Sequence, residues 1–100
     1  MPAVAGAQLR VAPNPLVRSA SIDLVVPGDA QARVRLRLYD VAGRLQRLVY
    51  DAPLVPGRHE IAFEGGAAGS AGGALAPGVY FLRADIDGRE AGVVRAVVTR

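Results

Sequence analysis

At 100 residues the chain is one domain, long enough to bury roughly two-thirds of its unfolded surface in a single core. It has no cysteine, which excludes disulfides and thiolate metal sites while leaving the redox compartment open. Twelve basic residues, every one an arginine, stand against nine acidic ones for a net charge of +3. The arginines are spread along the chain, so composition bias explains them better than a patch for nucleic acid or anionic lipid.

Residues 1–8 offer neither a basic n-region nor an apolar run long enough for a signal peptide, and read as a linker or an artificial start. On that reading an export signal would lie on sequence outside these residues. Nothing approaches the ~20 apolar residues of a membrane-spanning helix. Leu9-Arg10-Val11 is a short strand ended by Pro13-Asn14-Pro15, where two missing backbone donors place it at a sheet edge that the chain then leaves. Ser21–Val26 alternates with Ile22, Leu24 and Val26 inward, and Pro27-Gly28-Asp29 stops it with turn chemistry.

Arg33–Tyr39 is the cleanest alternation, with Val34, Leu36 and Leu38 on one face and Arg33, Arg35 and Arg37 on the other. The arginines are either a comb for anions or an ordinary solvent face, and a half-buried antiparallel strand produces the second without any ligand. Asp40 and Gly43 then suit a type I turn with a G1 bulge, Asp40 accepting from an amide two residues on and Gly43 supplying positive φ. Leu45–Tyr50 is a less regular strand in which Leu45 and Leu48 break the alternation, which predicts a bulge or a change of sheet. Pro56-Gly57 fits the centre of a type II turn, and Arg58–Glu64 follows with Ile61 and Phe63 toward the core. His59, in phase with Ile61, is the one histidine; with no second histidine or thiol it is expected to be packed or partly exposed at the strand's start, not bound to metal.

The Gly/Ala-rich stretch from Gly65 to Ala74 is expected to be an exposed loop. Within it Ala68-Gly69-Ser70-Ala71-Gly72 resembles a nucleophile elbow but lacks the first glycine and any triad partners, and it lacks the lysine and hydroxyl of a phosphate loop. Pro77-Gly78 breaks the chain before a long central strand running to Ile86, with Tyr80, Leu82, Ala84 and Ile86 on one face. A tyrosine so placed predicts a tyrosine corner, ring in the core and hydroxyl returned to the upstream backbone. Asp87-Gly88 is the preferred pair for a type I′ hairpin, and Glu90–Val98 returns as the last strand. Seven strands with no helical period predict an all-β, seven-stranded immunoglobulin-like (fibronectin type III-like) antiparallel sandwich over residues 9–100. With no tryptophan, its core is expected to rest on aliphatic packing plus Phe63, Tyr80 and Phe81.

Pro13-Asn14-Pro15, Val34–Arg44, Pro56–Ile61, Gly78–Arg83 and the basic-ended Arg95–Arg100, in that order, resemble the C-terminal sorting domain of type IX secretion cargo. The Ig-like domain of flagellar hook-assembly proteins shares this pattern. The resemblance implies a non-enzymatic sorting and surface-attachment module of a larger exported bacterial protein, at the surface of a Gram-negative-type cell. Gly78 and Tyr80 match its glycine-x-tyrosine motif, and Arg95, Val98 and Arg100 its basic-x-x-valine ending. Its implied partners are an attached upstream domain and the export machinery, with no cofactor, no metal and no nucleic acid. The family's loop aspartates have no counterpart between Gly66 and Ala74, so a calcium site does not carry over. The alternative is a structural subunit or spacer, in hook assembly or another filament, that assembles with neighbours through its sheet edges. An enzyme is the least supported class, for want of paired carboxylates or a histidine dyad.

Overall fold

The computed structural model describes residues 6–64 and 75–99. Among these, seven strands follow one another in chain order: β1 (Gln8–Ala12), β2 (Ser19–Val26), β3 (Ala32–Asp40), β4 (Leu45–Leu54), β5 (Gly57–Glu64), β6 (Gly78–Ile86) and β7 (Arg89–Val98). They form a three-stranded sheet β1-β2-β5 and a four-stranded sheet β4-β3-β6-β7, every pairing antiparallel. This is an immunoglobulin-like sandwich, as the strand pattern predicts. Gln8, expected in the linker, is instead the first residue of β1, opposite Val25.

Alternation decides what goes inside. Ile22, Leu24 and Val26 of β2 face Val34, Leu36 and Leu38 of β3 across the sheet gap, all within 1% of full burial. Leu82, Ala84 and Ala96 join them from β6 and β7, and Phe63 is the large aromatic of the core. Phe81 is not in the core, contrary to the expectation above. It adjoins Tyr80 on the same strand, and the two-residue period sends neighbours to opposite faces, so with Tyr80 buried Phe81 must point outward.

The turns follow their chemistry. Asp40 Oδ1 accepts from the amides of Ala42 at 2.9 Å and Arg44 at 3.0 Å, while Gly43, at φ 83°, donates to the Asp40 carbonyl. Asp40 Oδ2 accepts from Arg44 Nε at 3.0 Å and Gln46 Nε2 at 2.9 Å. Gly57 has φ 118°, as a type II turn requires of its third residue, and Asp87 and Gly88 have φ 51° and 80°, the signature of a type I′ hairpin.

The irregularity of β4 resolves into two bulges. Gln46 and Val49 are the extra residues, so Leu45 pairs with Tyr39, Arg47 with Leu38, Leu48 with Arg37 and Tyr50 with Leu36. Leu45 and Leu48, three residues apart, therefore share the outer face. Arg47 turns inward at the margin of the sandwich and donates to the Glu64 carbonyl, tying β4 to β5.

After β1 the chain passes Pro13-Asn14-Pro15, changes sheets, and delivers Leu16 fully buried beside β7, where it forms a parallel bridge to Val98. Its amide donates to the Val97 carbonyl and its own carbonyl accepts from Thr99, both at 2.8 Å.

Truncating the inner face is expected to cost far more than truncating the outer one. Leu36→Ala should lose about 2–5 kcal/mol in chemical denaturation, and Leu48→Ala no more than about 0.5 kcal/mol. The Asp40 carboxyl is held below its ordinary pKa, chiefly by the Arg44 backbone amide, then by the Arg44 side chain and the Ala42 amide. The stabilisation that this gives is complete above the unfolded value near ~3.9 and is lost as pH falls through the lower folded value. Stability measured between pH 5 and pH 2 should therefore show an acid loss that Asp40→Asn reduces.

Candidate functional site

The residues singled out from the sequence converge on one corner of the four-stranded sheet, where β6 begins and β7 ends. Gly78 lies directly opposite Val98, Tyr80 opposite Ala96, and Phe81 opposite Arg95. Val98 and Tyr80 point into the core; Arg95 stands on the outer face in solvent. Arg100 lies outside the described residues, as do the elbow-like residues 68–72 and the loop without aspartates.

Tyr80 makes the predicted corner, its hydroxyl donating to the Ala76 carbonyl at 2.6 Å while the ring is buried. Gly78 departs from expectation. Its φ is not in the left-handed region, and an added Cβ would meet nothing closer than Tyr80 Cε2 at 4.0 Å. The bend falls at Pro77, so neither the turn nor the packing demands glycine at 78.

Asn14 is the residue of this corner that sequence reasoning missed. Its side-chain amide donates to the Arg95 carbonyl at 2.7 Å, and its Oδ1 accepts from the Val97 amide at 3.0 Å. One carboxamide thus copies a neighbouring strand, offering a donor and an acceptor to the outer edge of β7, and the Leu16 backbone continues the pairing to Thr99. The signal was present as an asparagine between two prolines, which have no donors of their own, but its partners lie more than 80 residues away.

The arginines of β3 find their counter-ions within the fold. Arg33 Nε donates to Asp51 Oδ1 at 2.9 Å, Arg35 Nε approaches Asp51 Oδ2 at 3.5 Å, and Arg37 donates to Asp85 Oδ2 at 2.6 Å. Asp85 sits on the outer face of β6 but is only 3% exposed, because Arg37 and Arg83 close over it, the latter at 3.0 Å. The hydrogen bond that Arg37 donates to Asp85 raises the pKa of Arg37 above its ordinary value. An anion approaching this row would have to displace carboxylates already in place.

His59 is half-buried at the start of β5, and its Nε2 lies 2.6 Å from the Val55 carbonyl. Among the described residues no group of three or more His, Asp or Glu side chains is placed to share a metal ion. What the corner offers chemically is a rigid, hydrogen-bonded surface of backbone and side chains.

No family model and no curated protein matches the sequence. The fold recurs in solved structures. Dimeric latent PorU from Porphyromonas gingivalis contains a similar stretch, at a TM-score of 0.69 and 21% identity over 93% of this chain. The alkylpurine DNA glycosylase AlkC of Pseudomonas fluorescens, solved bound to DNA containing an abasic-site analogue, matches at a TM-score of 0.50 and 14% identity over 93% of this chain. At these identities the likeness is one of fold. The chain spans only 9% of the length of the PorU chain and 29% of that of AlkC.

Two substitutions test how the corner is held. Tyr80→Phe removes the hydroxyl bond alone and should cost about 1 kcal/mol, a fall in Tm of roughly 4–8 °C for a domain of this size. Asn14→Ala leaves two β7 backbone groups without their partner and should cost about 1–2 kcal/mol. In Asn14→Ala, hydrogen exchange should accelerate at the Val97 amide and stay unchanged at amides of the β2-β5 pair.

Proposed function

We propose that this domain is a non-enzymatic sorting and surface-attachment module belonging to a larger exported bacterial protein. It docks as a folded body and carries out no reaction of its own. Its partners are the domain covalently attached upstream and the export machinery that reads it, and its destination is the cell surface or the medium. The observation that carries this reading is the register of β6 on β7. The glycine-x-tyrosine pair and the basic-x-x-valine ending, more than a dozen residues apart in sequence, meet at one corner of the sheet, Gly78 opposite Val98 and Arg95 opposite Phe81 beside Tyr80, with Tyr80 and Val98 in the core beneath and Arg95 outside. A recognition element of that kind requires the sandwich, because only the folded hairpin assembles it.

Two further observations support it. The similar stretch in PorU is a small part of a much longer chain, which is how an accessory module is built, and the likeness fits a type IX secretion-related domain. Gly78 is the second. Since neither its φ nor its surroundings require glycine, a reader that approaches the backbone closely there would account for the residue. The competing reading, a structural subunit of a filament, draws on the edge strands β4 and β5, whose outer edges carry no paired strand among the described residues.

Export separates the two readings. Removing residues 78–100 from the parent protein should leave the cargo inside the cell, and normal surface display without them would reject a sorting role. Gly78→Ala is the sharper test, because relieving glycine in a strand should leave domain stability unchanged or raise it by up to about 1 kcal/mol. Reduced export of a parent whose domain melts normally supports recognition at Gly78; undiminished export removes that residue from the motif.

A further inference from the structure

The outer faces of the two sheets are unlike. On β1-β2-β5 the facing rows are Gln8-Val25-Arg58, Arg10-Asp23-Glu60 and Ala12-Ser21-Ala62, a surface of mostly small and polar side chains. On β4-β3-β6-β7 the corresponding rows are Leu45-Tyr39-Phe81-Arg95 and Leu48-Arg37-Arg83-Val93, with Val79 beside Val97 at the margin. Leu45, Leu48, Val79, Phe81 and Val93 are between 37% and 54% exposed, all on this one face. The two bulges of β4 are what turn both leucines outward; without them the strict period would send Leu45 and Leu48 to opposite faces. Single exposed apolar residues are ordinary, but five collected in adjoining rows of one sheet, facing a polar counterpart on the other, form a contiguous patch.

The charges on the same face say what would cover it. Five arginines (Arg33, Arg35, Arg37, Arg83 and Arg95) share it with Asp51, Asp85 and Glu90, which leaves the face net positive. Arg37 and Arg83 share the Asp85 carboxylate, Arg83 also lying 4.0 Å from Glu90 Oε1, and Arg95, next to Phe81, makes no ion pair with a described residue. A second copy of this chain would set one net-positive face on another. A bilayer would have to take up the Arg37-Asp85-Arg83 cluster together with the apolar rows, at a large desolvation cost. A protein surface with apolar side chains bracketed by carboxylates suits both features, filling the rows and meeting Arg95, the one arginine of the five with no ion pair to a described residue.

We propose that the outer face of β4-β3-β6-β7 is a docking surface for an acidic, apolar-centred patch on another protein. The inference stands whether or not the domain is a sorting module. Arg95 belongs to both surfaces, on the outer side of the strand whose far edge Asn14 holds.

The test places a photo-crosslinking amino acid, p-benzoylphenylalanine, at Phe81, Leu48 or Val93 of the full parent protein in the producing cell, with Arg10 and Ser21 on the opposite sheet as controls. The expected result is a protein adduct from the first three positions and not from the controls, mapping to a segment of the partner rich in Asp or Glu. It should fall at least tenfold in the Arg95→Glu background, and Arg95→Lys should restore it. Thermal melting of the purified domain checks that each variant is folded, and because these side chains are exposed the melts should match. Adducts to a second copy of the chain, to lipid, equally from both faces, or from none of the positions would each overturn the proposal. Sedimentation velocity of the purified domain gives an independent arm, in which a monomer at high concentration is expected and a dimer abolished by Phe81→Glu would also overturn it.

Discussion

Two sheets without a disulfide or a tryptophan between them depend on how well aliphatic inner faces interdigitate, and everything else in this sandwich is subordinate to that. β2 and β3 each set three fully buried branched side chains into the gap, and β6 and β7 complete the inner face of the larger sheet with Leu82, Ala84, Ile86, Ala96 and Val98. Phe63 and the Tyr80 ring fill what aliphatic residues leave. The margin would stay open were it not for Leu16, which enters from the chain between the sheets and is as deeply buried as any residue of a strand.

Most of the fold could be read from the sequence because each decision is local. The seven strands, the Asp40–Gly43 turn, the Pro56-Gly57 turn and the Asp87-Gly88 hairpin are written in residue period and in which residues tolerate positive φ. Phe81 shows what happens when a composition argument overrides the period: two adjacent aromatics cannot both face inward from one regular strand, and the alternation already said so. Asp85 could not have been foreseen in the same way. Its burial is produced by two arginines on strands whose pairing is known only once the sheet exists.

The candidate site divides along the same line. Tyr80 was readable as a corner because its partner, the Ala76 carbonyl, is four residues upstream. The meeting of Gly78 with Val98 follows from the hairpin at Asp87-Gly88, given the bulge that slips β7 by one residue at Ala91. Asn14 and Leu16 are different, since they act on the opposite end of the chain and no local pattern announces it. A motif that looks like the last few residues of a domain is therefore, physically, a joint construction of its first segment and its last strand.

The crossing of Leu16 also fixes how the domain transmits force. β1 starts beside the end of β2, the pole that holds the Asp87-Gly88 hairpin, and β7 finishes at the other pole against Leu16, so the two strands run in the same direction along a body 40 Å long. Whatever is joined before β1 and after β7 pulls from opposite poles. Such a pull slides Leu16 and Asn14 lengthwise along β7, and their four bonds must then yield together instead of unzipping one at a time. Linked in series with other domains, this one would be a stiff element under tension, with its mechanical strength concentrated where the first strand hands over to the last.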